Sequence, residues 1–250
     1  MNDLIRQIYA TREVQTAAGK TVALDCEISP EEGELLAGLI TDDASVCRTL
    51  EVGCAYGLSS LFICEALRER AGAHHTVIDP VQMTDWQGIG VHNLRRAGLE
   101  GFELVEAYSE FALPRLLEAG EGRFDLILID GWHTFDHASL DCFYASRLLR
   151  EGGYLVIDDV SFPAVRQLVD FYLNFPCYRH AGSVAKRNTR DRGLRLLGQG
   201  LMLPLPARTR RAVLKRLWRR RVQSRAVETM VALQKTGPDQ RRWDWHCDDF

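Results

Sequence analysis

The stretch Leu50-Glu51-Val52-Gly53-Cys54-Ala55-Tyr56-Gly57-Leu58-Ser59-Ser60-Leu61 determines how the rest of the chain is interpreted. An apolar run leads into two glycines separated by three residues, and a helical apolar pattern follows through Phe62 and Ala66. This order predicts a strand, a tight turn and a helix. Because glycine lets the main chain approach a ligand closely, we expect the turn to bind a cofactor.

The turn differs from a dinucleotide-binding loop. The G-x-G-x-x-G fingerprint would need glycine at two positions that hold Ala55 and Leu58. Glu51, at the end of the strand, would also repel a pyrophosphate. A cofactor that ends in an amino acid therefore fits better, and the alternative is an ordinary strand-to-helix turn that binds no ligand.

The composition is that of an ordinary globular protein, with 46% hydrophobic and 26% charged residues among 250 and a net charge of −3. Positive charge is concentrated in residues 186–225, which hold fourteen Lys or Arg and one acid, Asp191. The seven cysteines are scattered without a C-x-x-C pair, which predicts reduced thiols. Since there is no signal-like N-terminus and no apolar run of membrane-spanning length, we expect a cytoplasmic protein.

Strand-like and helix-like segments alternate through the middle of the chain. Five apolar runs predict buried strands at 47–52, 76–78, 102–105, 124–129 and 154–157, with helices at 59–71, 86–97, 111–119 and 137–149. A helix near 165–173 and strands at 178–184 and 227–234 follow. The pattern predicts an α/β fold: a Rossmann-like, doubly wound, mostly parallel seven-stranded sheet with helices on both faces.

The same reading divides the chain into three parts. Residues 1–40 are expected to form an N-terminal helical cap, in which Ser29, Pro30 and Glu32 give the signature of a helix start. Residues 41–185 and 226–238 form the core. Residues 186–225 form a basic helical insertion, with an amphipathic helix predicted at 208–221.

Acidic residues follow several predicted strands: Glu51, Asp79, Asp130, and Asp158 with Asp159. Ligands of open α/β sheets bind outside the carboxyl ends of the strands, so these acids are expected to converge on one site. Taken singly, each acid is more simply explained as a helix cap or a turn former.

Four segments together carry a family resemblance: the turn at 50–59, Asp79, residues 129–133 (Ile-Asp-Gly-Trp-His) and residues 148–160. They resemble class I S-adenosylmethionine-dependent methyltransferases over roughly residues 25 to 180. Within that superfamily they are similar to the metal-dependent O-methyltransferases of catechols and antibiotic sugars. The resemblance implies methyl transfer to a hydroxyl of a small molecule, such as a sugar, a glycosylated compound or a phenolic natural product.

The resemblance also implies a binding site for S-adenosylmethionine. The turn and Glu51 would surround the methionine part, and Ser59 would hold its carboxylate. Asp79 would take the ribose hydroxyls, while Ser109 and Trp132 would lie at the adenine. The full expected set is Glu51, Gly53, Ala55, Gly57, Ser59, Asp79, Ser109, Asp130 and Trp132.

Asp130, Asp158 and Asp159 predict a divalent metal, Mg²⁺ or Ca²⁺. If their strands are neighbours, the strand ends lie roughly 5 Å apart, and carboxylates this close need either a raised pKa or a cation between them. In the resembling families these positions hold the metal, although the catechol enzymes have Asn in place of Asp159. His133 stands where those enzymes have a catalytic lysine and is expected to act as general base. The alternative is a metal-free enzyme whose aspartates only cap the following segments.

The basic segment leaves the acceptor open. The main hypothesis is a small-molecule acceptor, and the alternative is an RNA methyltransferase that binds phosphates through residues 186–225. Further hypotheses are that these arginines simply face water, and that the fold is a non-catalytic interaction module. We expect a weakly held homo-oligomer without a membrane span.

Overall fold

The computed structural model describes residues 2–186 and 227–247. In the described part the helices are α1 (Asp3–Thr11), α2 (Pro30–Asp42), α3 (Leu58–Leu67), α4 (Ile89–Arg96), α5 (Ser109–Glu118), α6 (Phe135–Leu148) and α7 (Pro163–Tyr172). The strands are β1 (Glu13–Gln15), β2 (Thr21–Ala23), β3 (Arg48–Val52), β4 (His74–Ile78), β5 (Phe102–Val105), β6 (Phe124–Ile129), β7 (Leu149–Ile157), β8 (Tyr178–Lys186) and β9 (Val227–Lys235).

Seven strands form one sheet in the order β5-β4-β3-β6-β7-β9-β8. The five strands from β5 to β7 are parallel, and β9 lies antiparallel between β7 and β8. The central strand β6 is buried at every position because both faces of a parallel sheet are covered by helices. The predicted α/β fold with a mostly parallel seven-stranded sheet is confirmed.

The helices cover the sheet in two layers, each with its own apolar core. On one face the core includes residues of α5, α6 and α7. On the other face it includes residues of α1, α2, α3 and α4. Helix α3 is buried around most of its circumference, as expected for a helix that is apolar on all sides, because α2 covers its outer side.

Most predicted elements lie where expected, with ends shifted by a few residues. The predicted start of α2 is confirmed: Ser29 and Glu32 form a capping box, and Pro30 is the first helical residue. Strand β7 begins earlier than predicted, at Leu149, with a register shift before Tyr154. The antiparallel pair β1 and β2 was not predicted. The predicted helix at 208–221 lies outside the described residues, and the three-part division of the chain stays a prediction.

The C-terminal residues dock on the core through Trp245. Its ring lies 5.3 Å from Phe175, and the Arg241 guanidinium lies 3.2 Å from the centre of the Phe175 ring. By contrast, Trp243 is 91% exposed. All seven cysteines are free thiols, and no described helix is long and apolar enough to cross a membrane.

Candidate cofactor and metal site at the carboxyl edge of the sheet

The residues that follow four neighbouring strands are aligned along one edge of the sheet. Each donates its backbone N–H to the last residue of an adjacent strand: Asp79 to Val105 (3.2 Å), Gly53 to Ile78 (2.9 Å), Asp130 to Val52 (2.9 Å) and Asp158 to Ile129 (3.0 Å). These bonds extend the parallel ladders by one residue. They bring the glycine turn and three of the predicted acids to the same edge, as the strand order requires.

Both glycines of the turn are required by contacts within the protein. Gly53 and Gly57 have positive φ values of 94° and 75°. A Cβ on Gly53 would lie 2.0 Å from the Asp130 carbonyl oxygen, and one on Gly57 would lie 2.9 Å from the Gly90 Cα. The turn is thus pressed between β6 and the start of α4. Ala55 also has a positive φ, of 45°.

Asp79 holds the turn from the neighbouring strand. One carboxylate oxygen accepts from the backbone N–H groups of Cys54 and Ala55, both at 3.1 Å. The other accepts from the Val81 N–H at 2.9 Å. Each carboxylate oxygen has two lone pairs, so acceptor capacity remains for further donors. Asp79 is buried, and it orders the turn in addition to the ribose role expected from the sequence.

Two buried amides complete the turn and were missed by the sequence interpretation. Gln82 donates to the Ala55 carbonyl at 2.8 Å and accepts from the Gly90 N–H at 3.0 Å. Asn93, on α4, donates to the Tyr56 carbonyl at 3.0 Å. Neither residue stands in a local motif, and each reaches the turn from about thirty positions away, so no short-range signal could have identified them.

Glu51 lies beneath the turn and is fully buried. Its carboxylate accepts from the hydroxyls of Ser59 and Ser60 at the start of α3. The ring Nε2 of His75 lies 3.1 Å away, and the Nδ1 of His75 contacts the Thr49 hydroxyl at 2.9 Å. Glu51 therefore supports the turn from below, while the Ser59 hydroxyl is directed toward Glu51.

Asp130 and Asp158 are crowded by like charges. Loss of hydration and the nearby Asp158 charge hold the pKa of Asp130 well above its usual range. Loss of hydration, followed by the charge of Glu32, raises the pKa of Asp158 to about 7. Carboxyl groups in this state release protons readily when a cation arrives, so their chemistry suits a divalent ion.

His133 is held by the third acid of the cluster. Its Nε2 lies 2.7 Å from an Asp159 carboxylate oxygen, and its ring stacks on Phe162 with a centroid distance of 5.1 Å. The hydrogen bond to Asp159 raises the pKa of His133. Because a carboxylate only accepts, Nε2 carries the hydrogen, and Nδ1 is the basic nitrogen of the neutral ring.

Asp130, His133 and Asp159 together form a candidate metal cluster. One ligand atom from each residue lies within 4.8 Å of the others. This set shares two acids with the predicted triad but contains His133 where the sequence interpretation placed Asp158. Oxygen ligands with one imidazole suit Mg²⁺ or Mn²⁺, and they are also compatible with Zn²⁺.

Part of the N-terminal segment lies beside the glycine turn, where the sequence interpretation did not place it. The Tyr56 hydroxyl donates to Asp25 at 2.9 Å, which attaches this segment to the glycine turn. Burial raises the pKa of the Cys26 thiol to about 11, and the charges of Asp130 and Asp159 contribute to this rise. Residues 25 and 26 therefore lie close to the acid cluster.

The two residues expected at the adenine lie on neighbouring elements. Trp132 is 61% exposed, and its ring lies 4.5 Å from the ring of His137. Ser109 is the first residue of α5, and it is partly buried. Their assignment to the adenine stays a prediction.

Comparison with known proteins finds similarity to methyltransferases. Residues 50–160 match the family described as "Methyltransferase domain". This part of the chain is therefore similar to methyltransferase domains. A curated relative, catechol O-methyltransferase B of Danio rerio, is 27% identical over 154 residues. That match covers 61% of this chain and 56% of the relative, so the chain matches little more than half of the relative's length.

Solved structures of methyltransferases share the fold across nearly the whole chain. One is the O-methyltransferase TomG from Streptomyces achromogenes, which is involved in tomaymycin synthesis and was solved with SAM. Its TM-score is 0.63 at 16% sequence identity, and the match covers 95% of this chain and 91% of the TomG chain. An O-methyltransferase from Bacillus cereus, solved with SAH, has a TM-score of 0.63 at 14% identity, with coverages of 94% and 92%. At sequence identities this low, the similarity shows a shared fold and nothing more specific.

Proposed function

We propose that the protein transfers the methyl group of S-adenosylmethionine to a hydroxyl of a small molecule, with a divalent metal at the acid cluster. The observation that carries this proposal is the alignment of the glycine turn, Asp79 and Asp130 along one sheet edge. A cofactor seated at the turn would have its reactive end toward the acids and His133. The names of the relative and of the two structural neighbours reported above support an O-methyltransferase.

The expected chemistry is a direct displacement. The acceptor oxygen attacks the methyl carbon while the bond from that carbon to sulfur breaks, which leaves S-adenosylhomocysteine. The hydroxyl proton goes to Nδ1 of His133, whose ring is oriented by Asp159 through Nε2. Phe162 limits the rotation of the imidazole by stacking on it. Catalysis of this kind depends mainly on positioning.

A divalent ion fits the donor set of this edge. Asp130, Asp158 and Asp159 would hold it, which leaves Nδ1 of His133 free to act as the base. Loss of hydration and the crowding of acids raise the pKa values of Asp130 and Asp158, and a cation among these carboxylates would favour their charged forms. When bound, such an ion lowers the pKa of an acceptor hydroxyl and orients its oxygen. Mg²⁺ is the first choice because carboxylate oxygens predominate.

The acceptor class is proposed to be a sugar, a glycosylated compound or a phenol. The RNA alternative depends on residues 186–225, of which only Lys186 is described, and the comparisons give it no support. Homo-oligomerisation and cytoplasmic location stay predictions.

Binding of the cofactor provides the first test. Isothermal titration with S-adenosylhomocysteine should show one site on the wild type and a loss of affinity of about tenfold or more in Asp79→Asn, because an amide offers fewer acceptors to ribose hydroxyls. Glu34→Gln, an exposed change on α2, is the matched control and should bind normally. Absence of binding to the wild type would overturn the proposal.

The metal and the base are tested separately. Mg²⁺ should raise the melting temperature of the wild type but not of Asp159→Asn, since a ligand that binds only the folded state stabilises it. Methyl transfer to a panel of phenols and sugars should fall with EDTA and recover with Mg²⁺. His133→Gln should lower kcat with little change in cofactor affinity. Full activity in EDTA together with no thermal shift would contradict the metal assignment.

A further inference from the structure

His75 is a fully buried histidine on β4 that the proposed chemistry does not use. Its Nε2 lies 3.1 Å from an oxygen of the Glu51 carboxylate, and its Nδ1 lies 2.9 Å from the Thr49 hydroxyl. Glu51 and Thr49 are fully buried as well. Burial of charged groups costs free energy even when they are paired, and apolar side chains usually fill such positions of a parallel sheet. The pair of His75 and Glu51 beneath the glycine turn therefore calls for a functional explanation.

The partners of His75 fix one of its ring hydrogens and leave the other optional. A carboxylate only accepts hydrogen bonds, so Nε2 carries a hydrogen that is directed at Glu51. The Thr49 hydroxyl can donate its hydrogen to Nδ1 or accept one from it. The same contacts therefore suit a neutral and a cationic imidazole, and the change between them needs only the rotation of one hydroxyl group.

The net charge of this network depends on His75. Glu51 also accepts from the hydroxyls of Ser59 and Ser60, and no lysine or arginine in the described part of the chain bonds to it. With a neutral imidazole the network carries one negative charge, and a proton on Nδ1 cancels that charge. Because the network is buried, water and salt screen the difference only weakly.

The other titratable groups around the network do not take over this role. Cys54 in the turn and Cys64 on α3 are near Glu51, and burial, followed by the Glu51 charge, raises the pKa of both thiols, so they stay neutral. The Asp79 carboxylate bonds the backbone of the turn. The histidine and the arginines of α4 are at least partly exposed.

We propose that His75 sets the preference of the turn for the positively charged methyl donor over its product, by controlling the net charge beneath the turn. This inference rests on the proposed function, because it assumes that S-adenosylmethionine binds at the glycine turn. His75 is a positioning residue, since it has no exposed surface and acts through Glu51.

The selectivity follows from the charge difference between donor and product. S-adenosylmethionine carries a sulfonium charge that S-adenosylhomocysteine lacks, while the two share every other charged group. A buried negative charge beneath the turn attracts the sulfonium, so the preference for the donor is highest when His75 is neutral. The preference falls as pH decreases and the imidazole takes up a proton, which histidines do between about pH 5 and 8. At the higher pH the site exchanges product for donor more readily.

Calorimetry with both ligands, in the absence of an acceptor, tests this inference at about pH 8 and about pH 5.5. The measured quantity is the donor preference: the Kd for S-adenosylhomocysteine divided by the Kd for S-adenosylmethionine. The donor preference of the wild type divided by that of His75→Gln should be close to unity at the higher pH and fall about three- to tenfold at the lower pH. Glutamine keeps a hydrogen for Glu51 but does not titrate. The division removes the titration of Asp130, Asp158 and His133, which both proteins share.

Two further variants complete the test. His74→Gln is the matched control, because the His74 side chain is 40% exposed and faces Glu103 at 3.4 Å, and it should follow the wild type at both pH values. Glu51→Gln removes the buried charge and should lower the donor preference about three- to tenfold at about pH 8, with no further effect of His75→Gln in that background. Circular dichroism verifies that each variant is folded. If His75→Gln is unfolded, Glu51→Gln takes its place: the wild-type preference should exceed that of Glu51→Gln at about pH 8 and equal it at about pH 5.5.

The possible failures are distinguishable. Normal binding of both ligands, with the same pH dependence of the donor preference in the wild type and His75→Gln, would overturn the role of His75 and leave the proposed function intact. An equal loss of affinity for both ligands in His75→Gln, with an unchanged preference, would show a structural role only and overturn the inference. No binding of either ligand to the wild type would overturn both this inference and the proposed function.

Discussion

A methyl group on Gly53 would lie 2.0 Å from the backbone carbonyl oxygen of Asp130. The glycine turn and the first acid of the candidate metal cluster are therefore in direct backbone contact. Any change that pushes the turn outward also moves the strand end that carries Asp130.

Gly53→Ala is expected to destabilise the protein by about 2–5 kcal/mol, because a positive φ and a backbone overlap each cost about 1–3 kcal/mol. Gly38→Ala is the control, since a Cβ there meets nothing within 4 Å and the residue lies within α2. That change should be neutral or slightly stabilising. Urea denaturation measures both free energies of unfolding. Equal values would show that the turn relaxes freely.

Glu51→Gln is expected to cost about 1–3 kcal/mol, because it weakens a fully buried set of bonds to two serines and to His75. The neighbouring pair His74 and Glu103, 3.4 Å apart and exposed, provides the comparison. Glu103→Gln should change stability by less than about 0.5 kcal/mol. Guanidinium denaturation of the two variants side by side tests the contrast. Similar losses would mean that the buried network contributes little.

Trp245→Ala is expected to destabilise the protein by about 1–3 kcal/mol. The Trp245 ring packs on Phe175 and makes a cation–π contact with the Arg241 guanidinium, and both would be lost. Trp243, two residues earlier, is almost fully exposed. Its replacement by alanine should have an effect within about 0.5 kcal/mol. Thermal unfolding of the two variants provides the measurement, and a larger loss for Trp243→Ala would contradict the observed docking.

Asp141→Asn should become more stable relative to the wild type as pH rises. Burial raises the pKa of Asp141 in the folded protein to about 6, above the usual Asp value of about 3.9, so the wild type is favoured when this carboxyl is protonated. That contribution is complete below the unfolded pKa and is lost as pH rises through about 6, which amounts to about 2–3 kcal/mol at 1.36 kcal/mol per pKa unit.

Melting temperatures of both proteins between about pH 4 and pH 7.5 test this linkage. The difference between Asp141→Asn and the wild type should grow in favour of the variant across that range. Asp136→Asn should not show the same rise, because its carboxyl is exposed and its pKa is lowered by the Thr134 hydroxyl. A constant difference for Asp141→Asn would mean that the carboxyl is not held in a charged, buried state.

The sheet could be predicted because most of its strands are marked by a local sequence pattern. Strand β6 is a continuous apolar run, and such runs alternate with helical periods over much of the chain. The hairpin of β1 and β2 escaped prediction because each strand has three residues with little apolar content, so its pairing depends on contacts rather than pattern. The start of β7 was misjudged because Gly152 and Gly153 interrupt the apolar run.

The candidate site could be predicted where its residues come directly after a strand. Asp79, Asp130 and Asp158 each come directly after a strand, so topology alone brings them together. Three residues bond to the glycine turn from distant positions in the sequence, and no local motif marks them: Gln82, Asn93 and Asp25.

The pairing of Lys186 with Val227 brings together the two ends of the connection between β8 and β9. The chain leaves β8 and returns to β9 at directly opposed positions, and the Val160 N–H bonds the Thr229 carbonyl one strand away from the acids. Because closing a longer loop adds little entropy cost, residues between these two points can change in length and sequence without disturbing the strands. The strand ends that carry Asp130 and Asp158 therefore do not depend on the length of the connection between Lys186 and Val227.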